Sequence, residues 1–312
     1  MRDEHNERYP PYLPFYWRFY LVLRKFYRQT ATRLAEKSAQ RQGPVGIVDD
    51  GEACWTTPQE SLIANPVSAI NKAAFWLDQD MARPEIQAIA EEINHLKATL
   101  RARQLAFTTT AGTFISRMFY PRTERTKLWE NSWTIYHSGV KPGHRVLDIG
   151  GASTAFAFYL ASLGCLVSVI DNDWSNCGMI YNTNYVGKKM GWDIKAYDHD
   201  VAKCLPFPDN YFDRVFSICV VEHLTSQVRR FLMKELARVV KPAGIVAVTT
   251  DYDHKRKVLL TDKGLRFAYR QKFDEDIIKP SGLKIYGNTD FIDAYPQENF
   301  LGAVFLKKDE SA

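Results

Sequence analysis

The sequence predicts an α/β protein whose parallel sheet is doubly wound, with helices on both faces, and three features of one stretch predict it. A short apolar run at 146–149 is closed by the glycine pair Gly150-Gly151, as at the end of a buried parallel strand. Ser153 or Thr154 can cap a helix after that turn. A second apolar run then ends at Asp171. Together these features predict a βαβ unit that suits a nucleoside.

The glycine turn separates two classes of nucleoside cofactor. Glycines let the backbone approach a ligand closely, and the N-terminus of a helix offers free N–H groups. A dinucleotide site requires G-x-G-x-x-G, so that a pyrophosphate can lie on the helix end. This turn reads D-I-G-G-A-S-T and has no third glycine. Asp148 would repel a pyrophosphate, whereas it suits a ligand that carries an ammonium group and a sulfonium.

At these residues the sequence resembles the class I, S-adenosylmethionine-dependent methyltransferases, whose first motif is a hydrophobic strand followed by D-x-G-x-G or D-x-G-G. The resemblance continues in L-P-F-P-D-x-x-F-D at 205–213 and in E-H-L at 222–224, and it covers roughly residues 125–308. It implies a seven-stranded, doubly wound methyltransferase sheet with an antiparallel last strand, preceded by an N-terminal helical extension. It also implies S-adenosyl-L-methionine as the cofactor.

The resemblance assigns cofactor-binding roles to the ends of the first four strands. Asp171 would bind the ribose, and Asp200 with Val201 would bind the adenine, with Asp198 as the alternative acid. The predicted cofactor residues are Asp148, Gly150, Gly151, Ala152, Ser153, Asp171, Asn172, Asp200, Val201 and Cys219.

The catalytic candidates follow the fourth strand. Glu222 and His223 lie at the carboxyl edge of the sheet, where open α/β folds bind ligands. His223 could accept a proton from an attacking hydroxyl, or it could support the cofactor loop. We expect methyl transfer to a small metabolite, with O-methylation preferred. The alternatives are N- or C-methylation of a lipid-linked, sugar or quinone substrate, and a non-catalytic scaffold that binds a partner.

A metal site is not expected. The small-RNA 2′-O-methyltransferases also carry E-H after this strand, within a site of two glutamates and two histidines. Here Cys219 occupies the position of their first glutamate, so that only Glu222, His223 and His254 remain, with Asp251 as a substitute. That set makes a poor magnesium site.

The substrate candidates come from two segments. In the family, the segment before the first strand often folds over the cofactor and lines the substrate pocket. By that resemblance its lid candidates are Phe119, Tyr120, Arg122, Arg125, Trp129, Glu130 and Trp133, although a surface helix with a half-buried tryptophan stripe explains them equally well. Asp251, Tyr252 and His254 follow the fifth strand at the same edge.

The composition limits which partners and which cellular compartment are expected. The chain of 312 residues has 41 basic and 36 acidic residues, so its net charge of +5 gives little reason to expect nucleic acid. Five cysteines without a C-x-x-C pair indicate reduced thiols in the cytoplasm. No apolar stretch reaches the ~20 residues of a membrane span, and no signal sequence is recognised.

Three regions are expected along the chain. Residues 1–42 form an amphipathic helix with one aromatic face and one basic face, residues 43–124 a helical extension and lid, and residues 125–312 the cofactor-binding domain. The first helix suits packing within the chain or in a homodimer. It also suits peripheral contact with a membrane surface.

Overall fold

The computed structural model describes residues 69–72, 77–105, 121–172, 178–252, 274–289 and 300–310. The predicted helix within residues 1–42 lies outside this part of the chain, as do Phe119, Tyr120 and His254. For Arg122, Asp251 and Tyr252 only the backbone is described.

Seven strands and seven α-helices are described. The strands are β1 (Arg145–Ile149), β2 (Leu166–Asp171), β3 (Ile194–Asp198), β4 (Phe212–Ile218), β5 (Val240–Tyr252), β6 (Lys284–Ile285) and β7 (Phe300–Lys307). The helices are α1 (Leu77–Met81), α2 (Pro84–Ala102), α3 (Pro121–Ser138), α4 (Ala155–Ser162), α5 (Met179–Met190), α6 (Ser226–Val239) and α7 (Lys279–Ser281). A 3₁₀ turn covers Val221–His223, and a π-helical turn covers Asp274–Ile278.

The seven strands form one sheet in the order β3-β2-β1-β4-β5-β7-β6. Strands β1 to β5 are parallel, whereas β7 runs antiparallel to both β5 and β6. This confirms the predicted seven-stranded sheet with an antiparallel last strand. Ile149 at the end of β1 lies opposite Ile170 of β2 and Ser217 of β4. The carboxyl ends of these strands therefore meet at one edge.

Each face of the sheet has its own apolar core. Along β5, Val246 and Val248 face one core, and Ile245 and Ala247 face the other. This alternation follows from the two-residue period of a strand. Helices α2, α3 and α4 contribute to the core of Ile245, and α6 contributes to the core of Val246. The sheet is thus wound on both faces, as predicted.

Residues 69–72 complete the edge of β7. Strand β6 pairs only with Leu306 and Lys307, and Lys72 forms an antiparallel bridge with Ala303 farther along. The side chain of Asn71 accepts the Phe305 N–H at 2.7 Å and donates to the Tyr286 carbonyl at 2.8 Å. Backbone groups that β6 is too short to reach are therefore satisfied by a segment far away in the sequence.

Three segments differ from what their sequences suggest. Lys241-Pro242-Ala243-Gly244 is typical of a turn before a strand, but these residues are part of β5, with a register shift opposite β4 and Ala243 in the left-handed region at φ +60°. The spacing of Phe156, Tyr159 and Leu160 predicts one apolar face, whereas residues 155–161 of α4 are all buried because α2 and the sheet cover the helix. The acids after Phe273 predict a capped helix that ends near Pro280, but the segment is a π-helical turn followed by the three-residue α7.

The N-terminus of α2 has residues that favour the start of a helix. Pro84 occupies the first turn of α2, and Glu85 follows it there. Within the part of the chain that is described, no helix has both the length and the apolar character needed to cross a bilayer.

Candidate cofactor site and active site

The turn after β1 can be formed only by glycines. Gly150 has φ +75°, and a Cβ there would lie 2.4 Å from a methyl carbon of Val220. A Cβ on Gly151 would lie 1.7 Å from Oδ2 of Asp148. The first glycine therefore allows contact with the segment after β4, and the second leaves room for the carboxyl group of Asp148.

The carboxyl group of Asp148 lies beneath this turn. Its side chain is buried, and among the described residues neither carboxyl oxygen has a hydrogen-bond partner. Burial raises the pKa of Asp148 well above its ordinary value, and the nearby Asp171 raises it further. A buried carboxyl group that lacks donors costs free energy, and an ammonium group or N–H donor of a ligand would recover it. The residue thus fits an amino-acid-bearing cofactor such as S-adenosylmethionine.

Asp171 is held in a fixed orientation at the end of β2. Its Oδ2 accepts the Ala152 N–H at 3.1 Å, and its Oδ1 accepts the Asn172 N–H at 2.8 Å. A carboxylate oxygen can accept more than one hydrogen bond, and the side chain of Asp171 is half-buried. The acid is therefore oriented by its own turn, at the strand end where the ribose is predicted to bind.

The start of α4 is fastened to α5. Ser153 has φ +62° and donates its N–H to the Thr183 hydroxyl at 2.6 Å, while Asn182 donates to the Ser153 hydroxyl. Thr154 is the N-cap of α4 and accepts the Ala157 N–H. Of the two predicted caps, Thr154 is therefore the one used. Ser153 instead connects the turn to α5.

The predicted adenine-binding acids lie beyond β3. Asp198 is exposed and lies opposite Asp171 in the sheet. Asp200 is also exposed, and its carboxylate accepts the Ala202 N–H at 2.9 Å. Val201 packs against the core on the α6 face. Both acids lie near Asp171, and the choice of Asp200 over Asp198 stays a prediction.

The segment after β4 separates the two catalytic candidates. Cys219 is buried with φ +52°, and its N–H donates to the carbonyl and the hydroxyl of Thr249, at 3.1 Å each. Glu222 is fully buried in the 3₁₀ turn, whereas His223 is exposed. Of the two catalytic candidates, His223 is therefore the one at the surface. Asp251 and Tyr252 end β5 at the same edge.

A buried ion pair adjoins this segment, and sequence reasoning found only one of its members. Glu130 of α3 is fully buried and accepts Lys127 at 2.7 Å, the Cys219 thiol at 2.9 Å and the Thr249 hydroxyl. Lys127 also hydrogen-bonds Cys219. Glu130 was predicted as a lid residue, while Lys127 and Thr249 were missed. Residues three positions apart are neighbours on a helix, so the Lys-x-x-Glu spacing on α3 could have indicated this ion pair.

The two tryptophans predicted to face substrate are fully buried. Trp129 donates its indole N–H to Asp80 at 3.0 Å, and Trp133 donates to the Ile70 carbonyl at 3.0 Å. These bonds attach residues from before α2 to helix α3. Arg125 is exposed in an open groove beside Glu91 of α2. Arg125 thus lies in a surface groove, whereas Trp129 and Trp133 lie in the core.

Comparison with known proteins assigns the central part of the chain. Residues 147–248 match the family described as "Methyltransferase domain". The ubiquinone/menaquinone biosynthesis C-methyltransferase UbiE of Cupriavidus taiwanensis is 34% identical over 131 residues, which are 39% of this chain and 49% of that protein. The protein of the same name from Ectopseudomonas mendocina is 34% identical over 129 residues, or 39% of this chain and 47% of that protein. The chain thus spans about half the length of the curated relatives it matches.

Among solved structures, phosphoethanolamine N-methyltransferase 2 of Haemonchus contortus, in complex with S-adenosyl-L-methionine, superposes with a TM-score of 0.46 at 18% identity. The superposition covers 58% of this chain and 52% of that one. Residues 147–248 therefore match a methyltransferase domain, and the observed strand order with its antiparallel β7 is the one expected from the sequence.

Proposed function

We propose that this chain transfers the methyl group of S-adenosylmethionine to a ring carbon of a small, electron-rich aromatic acceptor such as a hydroquinone. The observation that carries the proposal is the similarity of the cofactor-binding region to two proteins named as C-methyltransferases of quinone biosynthesis. The buried carboxyl group of Asp148 beneath the glycine turn, which has no hydrogen-bond partner among the described residues, supports the cofactor assignment.

The chain's own residues would bind and orient. Asp148 would accept the cofactor's ammonium group, and Asp171, held by two backbone amides, would accept the ribose hydroxyls. When bound, the cofactor would supply a methyl group on a sulfonium, and S-adenosylhomocysteine would leave as a neutral thioether. The ring carbon that gains the methyl group would lose its proton to water. Because the leaving group is already good, positioning supplies much of the rate acceleration.

O-methylation is the second candidate, and the exposed His223 favours it. A hydroxyl nucleophile must lose its proton, and an imidazole at the edge of the sheet can accept it. A ring carbon of a hydroquinone is activated by its own hydroxyl groups. The two reactions therefore differ in their need for His223 as well as in their product.

Product analysis tests the proposal. The purified full chain is incubated anaerobically with a prenylated naphthohydroquinone and with S-adenosylmethionine that carries a deuterated methyl group. We expect a product in which NMR finds the label on a ring carbon, and His223→Gln should retain most of the rate. A labelled methoxy group, with loss of the rate in His223→Gln, would establish O-methylation. Cofactor binding without transfer to hydroquinones would contradict both versions.

A further inference from the structure

The ion pair of Lys127 and Glu130 connects α3 to the ends of two strands. Cys219 directly follows β4, and Thr249 of β5 lies opposite Ile218 of β4. Both side chains donate to Glu130, which holds Lys127 on its other oxygen at 2.7 Å. Glu130 thus fixes the position of the lysine against the carboxyl edge of the sheet.

The pair borders the glycine turn. Val220 follows Cys219 and packs so closely on Gly150 that a Cβ there would lie 2.4 Å from it. Cys219, which contacts Glu130, is thus the chain neighbour of Val220, which packs against the glycine turn. Ligands of open α/β sheets bind at this edge. The position of Lys127 is therefore beside the predicted cofactor, on the β4–β5 side.

Charge distinguishes this side of the site. The β1–β2 side carries the acids Asp148 and Asp171, whereas Lys127 is a cation whose side chain keeps 18% of its surface exposed. Burial opposes its charge, but Glu130 and Cys219 raise the pKa of Lys127, so that the ammonium form persists. An ammonium group has three N–H donors, and Glu130 and Cys219 engage two of them.

From this geometry we propose that Lys127, positioned by Glu130, is a specificity-determining residue that selects acceptors with an anionic oxygen, such as the phenolate of an ionised hydroquinone. This inference rests on the proposed function, since it describes the acceptor of the same site. A cation beside a phenolate oxygen favours the ionised form, in which the ring carbons are more nucleophilic. Glu130 acts through Lys127 and is a positioning residue.

Binding without turnover tests the proposal. The full chain is saturated with S-adenosylhomocysteine, and calorimetry measures the affinity of two probes under mildly alkaline conditions. One probe is nitronaphthol, which is then an anion, and the other is its uncharged methyl ether. We expect the wild type to bind the anion at least about tenfold more tightly than the ether. Lys127→Met should remove this preference, and Lys127→Arg should keep most of it.

Two further variants show whether a loss of the anion preference comes from the missing lysine or from a disturbed fold. Lys127→Met leaves Glu130 buried without its cation, so the double variant Lys127→Met/Glu130→Gln is measured beside it. We expect the double variant to bind S-adenosylhomocysteine like the wild type and to lack the anion preference. Lys141→Met, which changes an exposed lysine before β1, should keep the preference.

The outcomes distinguish this inference from the proposed function. A wild type that binds neither probe or does not prefer the anion would overturn the role of Lys127, as would equal preference in Lys127→Met. If Lys127→Met lost affinity for S-adenosylhomocysteine but kept the preference for the anion, Lys127 would be assigned to the cofactor's carboxylate, and its proposed role would be overturned. Anion preference that depends on Lys127, together with no methylation of hydroquinones, would instead contradict only the proposed reaction.

Discussion

At the scale of single residues, the carboxylate of Asp171 accepts the amides of Ala152 and Asn172, and our proposal is that it also binds the ribose of the cofactor. We expect Asp171→Ala to weaken S-adenosylmethionine binding by about 1–3 kcal/mol, because the ribose hydroxyls would lose a charged acceptor. Isothermal calorimetry measures the change. Asp193→Ala removes an exposed acid just before β3 and should leave the affinity unchanged. Equal affinities of the wild type and Asp171→Ala would exclude Asp171 from the cofactor site.

Ala243 illustrates a local cost that the fold imposes. Its φ of +60° lies in the left-handed region, where a Cβ is strained and glycine is not. We expect Ala243→Gly to stabilise the protein by about 0.5–1 kcal/mol, because relief of strain exceeds the added entropy of the unfolded chain. Urea denaturation provides the measurement. Ala237→Gly, inside α6, should change stability in the opposite direction by a similar amount. Destabilisation by both substitutions would contradict this interpretation.

At the scale of elements, helix α3 joins the sheet to the segment before α2 through aromatic side chains. The ring of His137 packs against that of Trp133 at a tilt of 53°, with 4.2 Å between the ring centres, and Lys72 lies 4.3 Å from the centre of the same indole. Burial, reinforced by the cations Arg83 and Lys72 and opposed by Glu85, lowers the pKa of His137 from 6.5 to about 3. The folded chain therefore holds this imidazole neutral at mildly acidic pH.

This packing predicts a dependence of stability on pH. Between pH 6.5 and about 3 the unfolded chain binds a proton at His137 that the folded chain does not, so stability is lost as the pH falls below 6.5. From pH 7 to pH 5 we expect the wild type to lose about 2 kcal/mol more than His137→Gln. Urea titrations at both pH values measure this difference. His95→Gln, an exposed site on α2, should behave like the wild type. Equal losses in His137→Gln and the wild type would mean that the folded chain protonates His137.

The sequence allowed the sheet to be predicted because local signals determine it. Glycines at 150 and 151, an apolar run and a terminal acid define β1 and β2 without reference to distant residues. The environment of Trp129 could not be predicted in this way, since a stripe of tryptophans looks the same whether it lines a pocket or packs on Asp80. The role of Lys127 depends on contacts with Cys219, which is 92 positions away. Such pairings become visible only when the strands are assembled.

At the scale of the whole molecule, the aromatic and basic helix predicted within residues 1–42 would determine where the chain acts. If its apolar face inserts at a lipid interface, burial at ~25 cal/mol per Å² gives several kcal/mol of attachment. We expect the apolar face of this helix to pack within the protein or in a homodimer. On that basis the full chain and a form that begins after Gln42 should co-sediment equally, and weakly, with anionic vesicles. Stronger sedimentation of the full chain would establish membrane contact, and a lower mass of the shorter form would establish dimerisation.

The bond between Asn71 and the Phe305 amide joins positions 234 residues apart. During synthesis, residues 69–72 leave the ribosome long before β7 exists, so they cannot occupy their place at the edge of the sheet until residues 300–307 have been synthesised. Until then Asn71 and Lys72 have no strand to pair with, and the indole of Trp133 lacks the Ile70 carbonyl at its final position. Closing so long a loop carries a large entropic cost and slows folding. The nascent protein therefore passes through a period in which the glycine turn can form while the opposite end of the sheet is still open, and chaperones that bind exposed strand edges would act in that interval.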